Sequence, residues 1–192
     1  MPDRNDAALA FLLERRSRPA KTLTTPVPNR AELTPILTAA LRTPDHGKLE
    51  PWRLLVLEKP ALARLGELAG ERAAALGLDE AQTGKGRNQF DTGNLAVVVI
   101  ESPVESPKVP DIEQTYSAGA VALSLLNAAL ASGWGANWLT GWPSHDRGFV
   151  ETGLGLADDE RVVGIIHIGT EQVAPPERPR PSIEDKVTWQ SE

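Results

Sequence analysis

Residues Leu95–Glu101 read LAVVVIE, with no alternation of polar and apolar positions up to the closing glutamate. A strand with one wet face alternates with a period of two, because successive side chains point to opposite faces. A run that is apolar at every position and rich in β-branched residues is a strand covered on both faces. Arg161 to Ile168, RVVGIIHI, has the same character and is closed by Gly169. Strands of this kind require layers of structure above and below one sheet.

The remaining sequence supplies helices for those layers. Asp6 can cap a helix from Ala7 to Arg16, with Leu9, Leu12 and Leu13 as its buried stripe at 3–4 spacing and Pro19 stopping it. Thr24-Thr25-Pro26-Val27-Pro28 reads as an extended linker. Asn29 then starts a second helix, with Glu32 placed three residues on as in a capping box. Leu33, Ile36, Leu37 and Leu41 form one face of it, and Pro35 loosens its first turns.

Trp52 to Glu58, WRLLVLE, is a strand, and Pro60 opens a helix carrying Leu62, Leu65, Leu68 and Ala69 in step. Asp79 to Asn94 has no stable period, and Gly84-Lys85-Gly86 reads as a breaker, so a mobile or weakly helical excursion is expected there. The longest helical pattern runs from Glu113 to Ala131 on small and aliphatic residues, with Gly133 as its stop. Ala136 to Thr140 reads as a short strand, and Ser144 as the cap of a helix through Thr152. The element order, ααβαβαβαβ, indicates α+β or α/β with helices on both faces of one sheet. We expect one domain over 1–192, with 171–192 as a proline-rich arm draped over a surface, such as that of a partner chain.

Composition removes several function classes. The 192 residues include no Cys, which excludes disulfide scaffolds, thiolate metal clusters and cysteine nucleophiles. Lys plus Arg is 20 against 26 for Asp plus Glu, a formal charge of −6, which argues against a general nucleic-acid partner. His46, His145 and His167 stand apart without a ligand partner one helical turn away, so no metal site is expected. Neither a G-x-S-x-G elbow nor a phosphate-binding glycine loop of the P-loop or dinucleotide type is found. The polar start of the chain and the short apolar runs lead us to expect a cytoplasmic protein with no membrane segment.

Three clusters carry chemistry. Arg15-Arg16-Ser17-Arg18 ends the first helix; cations favour a helix C-terminus, but this density of guanidinium forks in an acidic chain also makes a phosphate clamp. Arg42-Thr43-Pro44-Asp45-His46, followed by Glu50-Pro51-Trp52, is a donor-rich turn bounded by prolines. Gly133-Trp134-Gly135-Ala136-Asn137-Trp138-Leu139-Thr140-Gly141 either lets backbone and indole approach a flat ligand or is a glycine turn with core tryptophans.

In this order and spacing the clusters resemble the FMN-dependent nitroreductase family, in particular its compact bacterial NAD(P)H subgroup. The similarity extends through Lys108-Val109-Pro110, Glu113-Gln114-x-x-Ser117-Ala118-Gly119 and Ile168-Gly169-Thr170. The resemblance implies an α+β sandwich, with a central mixed sheet flanked by helices, in an intertwined homodimer with FMN at the subunit interface. It implies that Arg15, Arg16 and Ser17 hold the FMN phosphate and ribityl chain. It further implies that Arg42 and His46 reach the flavin from the partner chain, and that Trp138, Leu139 and Thr140 line the cofactor partly through backbone groups. Gly169 and Thr170 are second-rank candidates. Arg178, Arg180 and Lys186 are the basic residues of the tail available to the phosphate.

The activity implied is hydride transfer from NAD(P)H through flavin to nitroaromatic, quinone or related acceptors, in a ping-pong cycle with no obligatory catalytic side chain. Reductive dehalogenation or flavin fragmentation on the same scaffold, and a low-turnover flavin-binding protein, remain as alternatives.

Overall fold

The computed structural model describes residues 3–191. Its sheet is built around strand β3 (Leu95–Glu101), every residue of which is buried. On one side β3 pairs with β2 (Trp52–Glu58), from Trp52 opposite Glu101 to Glu58 opposite Leu95. On the other it pairs with β5 (Arg161–Glu171), from Ala96 opposite His167 to Glu101 opposite Arg161. Strand β4 (Gly135–Leu139) lies along β5, with Gly135 opposite Gly169 and Leu139 opposite Ile165. Strand β1 (Leu23–Thr24) pairs with Thr170 and Glu171 at the end of β5. The resemblance implied a mixed sheet; every pairing among the described strands is antiparallel.

Alternate residues of the central strands feed two cores. Val97, Val99, Ile166 and Ile168 pack against α2 (Arg30–Ala40) and α5 (Asp111–Ala131). Ala96, Val98, Ile100 and Ile165 face α3 (Lys59–Ala75), α4 (Glu80–Asp91) and α6 (Arg147–Leu154) through Leu62, Leu65, Phe90 and Phe149. Each Val, Ile, Leu or Phe side chain so withdrawn from water contributes about 1.5–3 kcal/mol, so the doubly covered strands concentrate the stabilisation. No helix among the described residues is long and apolar enough to cross a membrane.

Several local expectations hold and several need correction. The Asn29–Glu32 capping box forms, with Asn29 Oδ1 accepting from Ala31 and Glu32 N–H. Leu33 and Ile36 are buried, whereas Leu41 is exposed at the helix end. The first helix, α1 (Asp6–Glu14), is shorter than expected and is capped by Asn5, not Asp6. Its Leu9, Leu12 and Leu13 are not buried in the chain: Leu12 is 56% and Leu13 75% exposed. The expected linker begins as β1. The short helix after β4 is capped by Asp146, whose Oδ2 accepts from Phe149 N–H at 2.9 Å, not by Ser144. Beyond β5 the chain is almost wholly exposed, with one short helix, α7 (Ile183–Lys186).

The largest correction is α4, where an excursion was expected. Asp79 and Gln82 form a capping box that starts it. Gly84-Lys85-Gly86 does not break it, because tertiary packing outweighs glycine's roughly 1 kcal/mol helix penalty. The indole Nε1–H of Trp142 donates to the Gln82 carbonyl at 3.0 Å. The ring lies flush on Gly86, where a Cβ would stand 2.2 Å from Trp142 Nε1.

Gly86→Ala should destabilise the fold by about 1–3 kcal/mol in chemical denaturation, because the added methyl displaces the indole; Gly84→Ala, in open space, should not destabilise. Burial holds the His167 imidazole down at about 4 from its ordinary 6.5. The folded state therefore refuses a proton that the unfolded chain accepts. Stability should be full above pH 6.5 and fall by about 3 kcal/mol as pH drops toward 4. His167→Leu should flatten the denaturation midpoint over that window. Glu160, held down at about 2 from 4.5 by its Arg53 hydrogen bonds, contributes its own loss only below 4.5.

Candidate functional site

The residues after α1 leave the helix at Arg15 and run to β4. Arg18 N–H donates to the Ala136 carbonyl at 2.8 Å, and Asn137 Nδ2 donates to the Arg18 carbonyl at 2.7 Å. These two bonds fix the Arg15–Arg18 loop beside the strand carrying Trp138 and Leu139. The four side chains then divide their work. Arg18 Nε is consumed by Glu171, on β5, at 2.7 Å. Arg15 Nη2 touches Ser17 Oγ at 3.4 Å. Arg15 Nε and Arg16 Nη1 are buried without a hydrogen-bond partner.

Such orphaned guanidinium nitrogens are costly, since a buried donor that has left water is normally paired. Desolvation lowers the Arg15 pKa from its usual value, and the like charges of Arg180, Arg16 and Arg18 lower it further. The cluster is a set of converging cations short of one anion. A phosphate monoester meets that shortage through charge-assisted, forked hydrogen bonds.

Other expected site residues occupy different places. Trp138 is half-buried, its ring lying over Gly164 so closely that a Cβ there would stand 1.9 Å from Nε1. Its indole is thus part of the core on the α5 side. Leu139 is half-buried, and Thr140, just beyond the strand, is exposed. Gly169 is buried opposite Gly135, and both glycines serve the approach of β1. A Cβ at Gly169 would stand 2.8 Å from the Thr24 carbonyl oxygen, and one at Gly135 would stand 2.5 Å from Leu23 Cδ2. Thr170 Oγ1 donates to the Pro26 carbonyl at 2.7 Å and serves the same junction.

Arg42 and His46 lie elsewhere in the chain. Both are exposed, and His46 Nδ1 is 2.6 Å from Glu113 Oε2, in the first turn of α5. The arginine loop is anchored just beyond the last turn of that helix. Between Glu113 and Ala131 the axis rises about 27 Å at 1.5 Å per residue. Within one chain, His46 and the Arg15–Arg16 pair therefore do not meet over one small ligand. Sequence reading named Asn137 and Glu113 only as members of motifs and gave neither a role; their partners are 119 and 67 residues distant. No local pattern announces such contacts.

Comparison with known proteins identifies the family. Residues 12–170 match the Nitroreductase family. The chain is 33% identical over 166 residues to the Escherichia coli (strain K12) protein named "Putative NAD(P)H nitroreductase YdjA", spanning 86% of this chain and 89% of that one. The nitroreductase-like family protein from Bacillus cereus has a TM-score of 0.79 at 25% identity over the full length of both chains. The FMN and NADPH-dependent nitroreductase NfnB from Sphigopyxis sp. strain HMH has the same fold, with a TM-score of 0.70 at 20% identity, covering 96% of this chain and 99% of that one. Motif order, fold and the match over residues 12–170 together place this chain in the nitroreductase family.

Proposed function

We propose that this chain is an FMN-dependent NAD(P)H oxidoreductase that works as a homodimer and reduces nitroaromatic, quinone or related acceptors. The observation that carries the reading is the pair of buried, unpartnered nitrogens, Arg15 Nε and Arg16 Nη1, held beside β4. They fit a phosphate monoester. FMN, when bound, supplies the hydride-accepting and hydride-donating chemistry. The residues of the chain position it: Arg15, Arg16 and Ser17 hold the phosphate and ribityl end, and backbone at Trp138, Leu139 and Thr140 lines the ring. NAD(P)H and the acceptor take turns at one exposed site.

The homodimer rests on two observations. His46 and the arginine pair lie toward opposite ends of α5, so both can serve one cofactor only from different chains. Apolar surface also stands uncovered around them: Leu12 and Leu13 on α1, and Ile112, Tyr116 and Leu123 on α5. Exposed apolar side chains on two helices beside the partial sites fit an association surface.

The reading predicts a yellow protein that takes up about one FMN per chain in this family's interface sites. Arg15→Ala and Arg16→Ala should each weaken FMN by about 1.5–3 kcal/mol, roughly ten- to a hundredfold in Kd by fluorescence titration, with riboflavin little affected. Unchanged FMN affinity in both variants would overturn the phosphate placement. A second test uses hybrids. If His46 acts across the interface, mixing Arg15→Ala and His46→Ala chains should restore one intact site per hybrid dimer. NAD(P)H oxidation should then exceed that of either variant alone. No gain on mixing, with subunit exchange verified, would place both residues in one chain's site.

A further inference from the structure

Glu177, in the exposed tail, has no part in the reading above, yet it stands at the arginine cluster. Its Oε1 lies 3.9 Å from Arg16 Nη1 and 3.2 Å from Arg180 Nε, and it accepts from Arg178 N–H at 2.9 Å. The side chain of Arg16 is largely buried, at 16% exposure, while that of Glu177 is 70% exposed. The carboxylate thus approaches the cluster from the solvent side. At 3.9 Å it is in Coulomb range of Arg16 but does not satisfy the Nη1 donor, which remains without a hydrogen bond. From Gln172 to Ser191 no residue is buried, so no core packing dictates the course of the tail. The Glu177 carboxylate joins the tail to the arginine cluster.

Resting on the FMN reading, we propose that Glu177 is a built-in competitor for the phosphate seat. With no phosphate bound, its carboxylate partly neutralises Arg16 and Arg180. When a phosphate monoester arrives, carrying about −1.5 to −2 charge, the two anions compete for the same guanidinium face. The phosphate prevails because it offers more charge and three acceptor oxygens to donors that Glu177 leaves unsatisfied. Glu177, already facing water, turns away at little desolvation cost. Glu177 thereby lowers cofactor affinity and speeds cofactor exchange, and it discriminates by phosphate alone, having no contact with the flavin-lining strand.

The test is Glu177→Gln in the full-length apoprotein, titrated with FMN and with riboflavin. Removing the charge should tighten FMN about two- to fivefold, the scale of one exposed charge contact, and slow its release in stopped-flow. Riboflavin, which lacks the phosphate, should bind the variant and the wild type equally. FMN binding that is unchanged or weaker in Glu177→Gln would overturn the proposal and make Glu177 a positioning residue for Arg16. Equal tightening of riboflavin would overturn it too. Wild-type protein that takes up no FMN would overturn the functional reading, and the competitor with it.

Discussion

Strand β3 has no solvent face, and the fold is arranged around that constraint. A strand buried on both sides sends alternate residues into two separate cores. Val97 and Val99 fill the layer under α2 and α5, while Ala96, Val98 and Ile100 fill the layer under α3, α4 and α6. The site inherits its geometry from this sandwich. Strand β4 returns from α5 along β5, and the Arg15–Arg18 loop hangs on β4 through Ala136 and Asn137. A rigid ladder thus fixes a loop that has no buried side chain in the helix before it.

An acidic chain that gathers guanidinium groups at one point does so against two costs, desolvation and like-charge repulsion. Both press on Arg15, whose pKa they lower. Arg18 escapes by pairing with Glu171, and Arg16 is partly compensated by Glu177. The residual shortage of negative charge is local, a few ångströms across, and overall charge says nothing about it. On the proposed reading this local shortage holds one phosphate on a chain whose net charge is −6.

The same helix that closes one core leaves part of its outer face uncovered. One side of α5 is buried at Ala118, Val121, Ala122, Leu125 and Leu126, while Ile112, Tyr116 and Leu123 face outward. With α1 exposed beside the arginine loop and His46 held to the far end of α5, the chain displays an apolar surface and two partial sites. On the proposed reading a second copy answers both.

The sequence by itself determined the elements whose signal is local. The unbroken apolar runs announced β3 and β5, small-residue periodicity announced α5, and Asn29 with Glu32 announced α2. The motif order also disclosed the family, because spacing along the chain is preserved in the chain itself. The tertiary structure alone decided what depends on contacts between distant residues. Helix α4 exists because Trp142 covers Gly86 and bonds Gln82, a pairing invisible to a reading in which two glycines mean a break. Gly135 and Gly169 admit the close approach of β1, and Leu9, Leu12 and Leu13 found no cover in their own chain. Periodicity records which face of an element is apolar; only folding in three dimensions decides what, if anything, comes to rest against it.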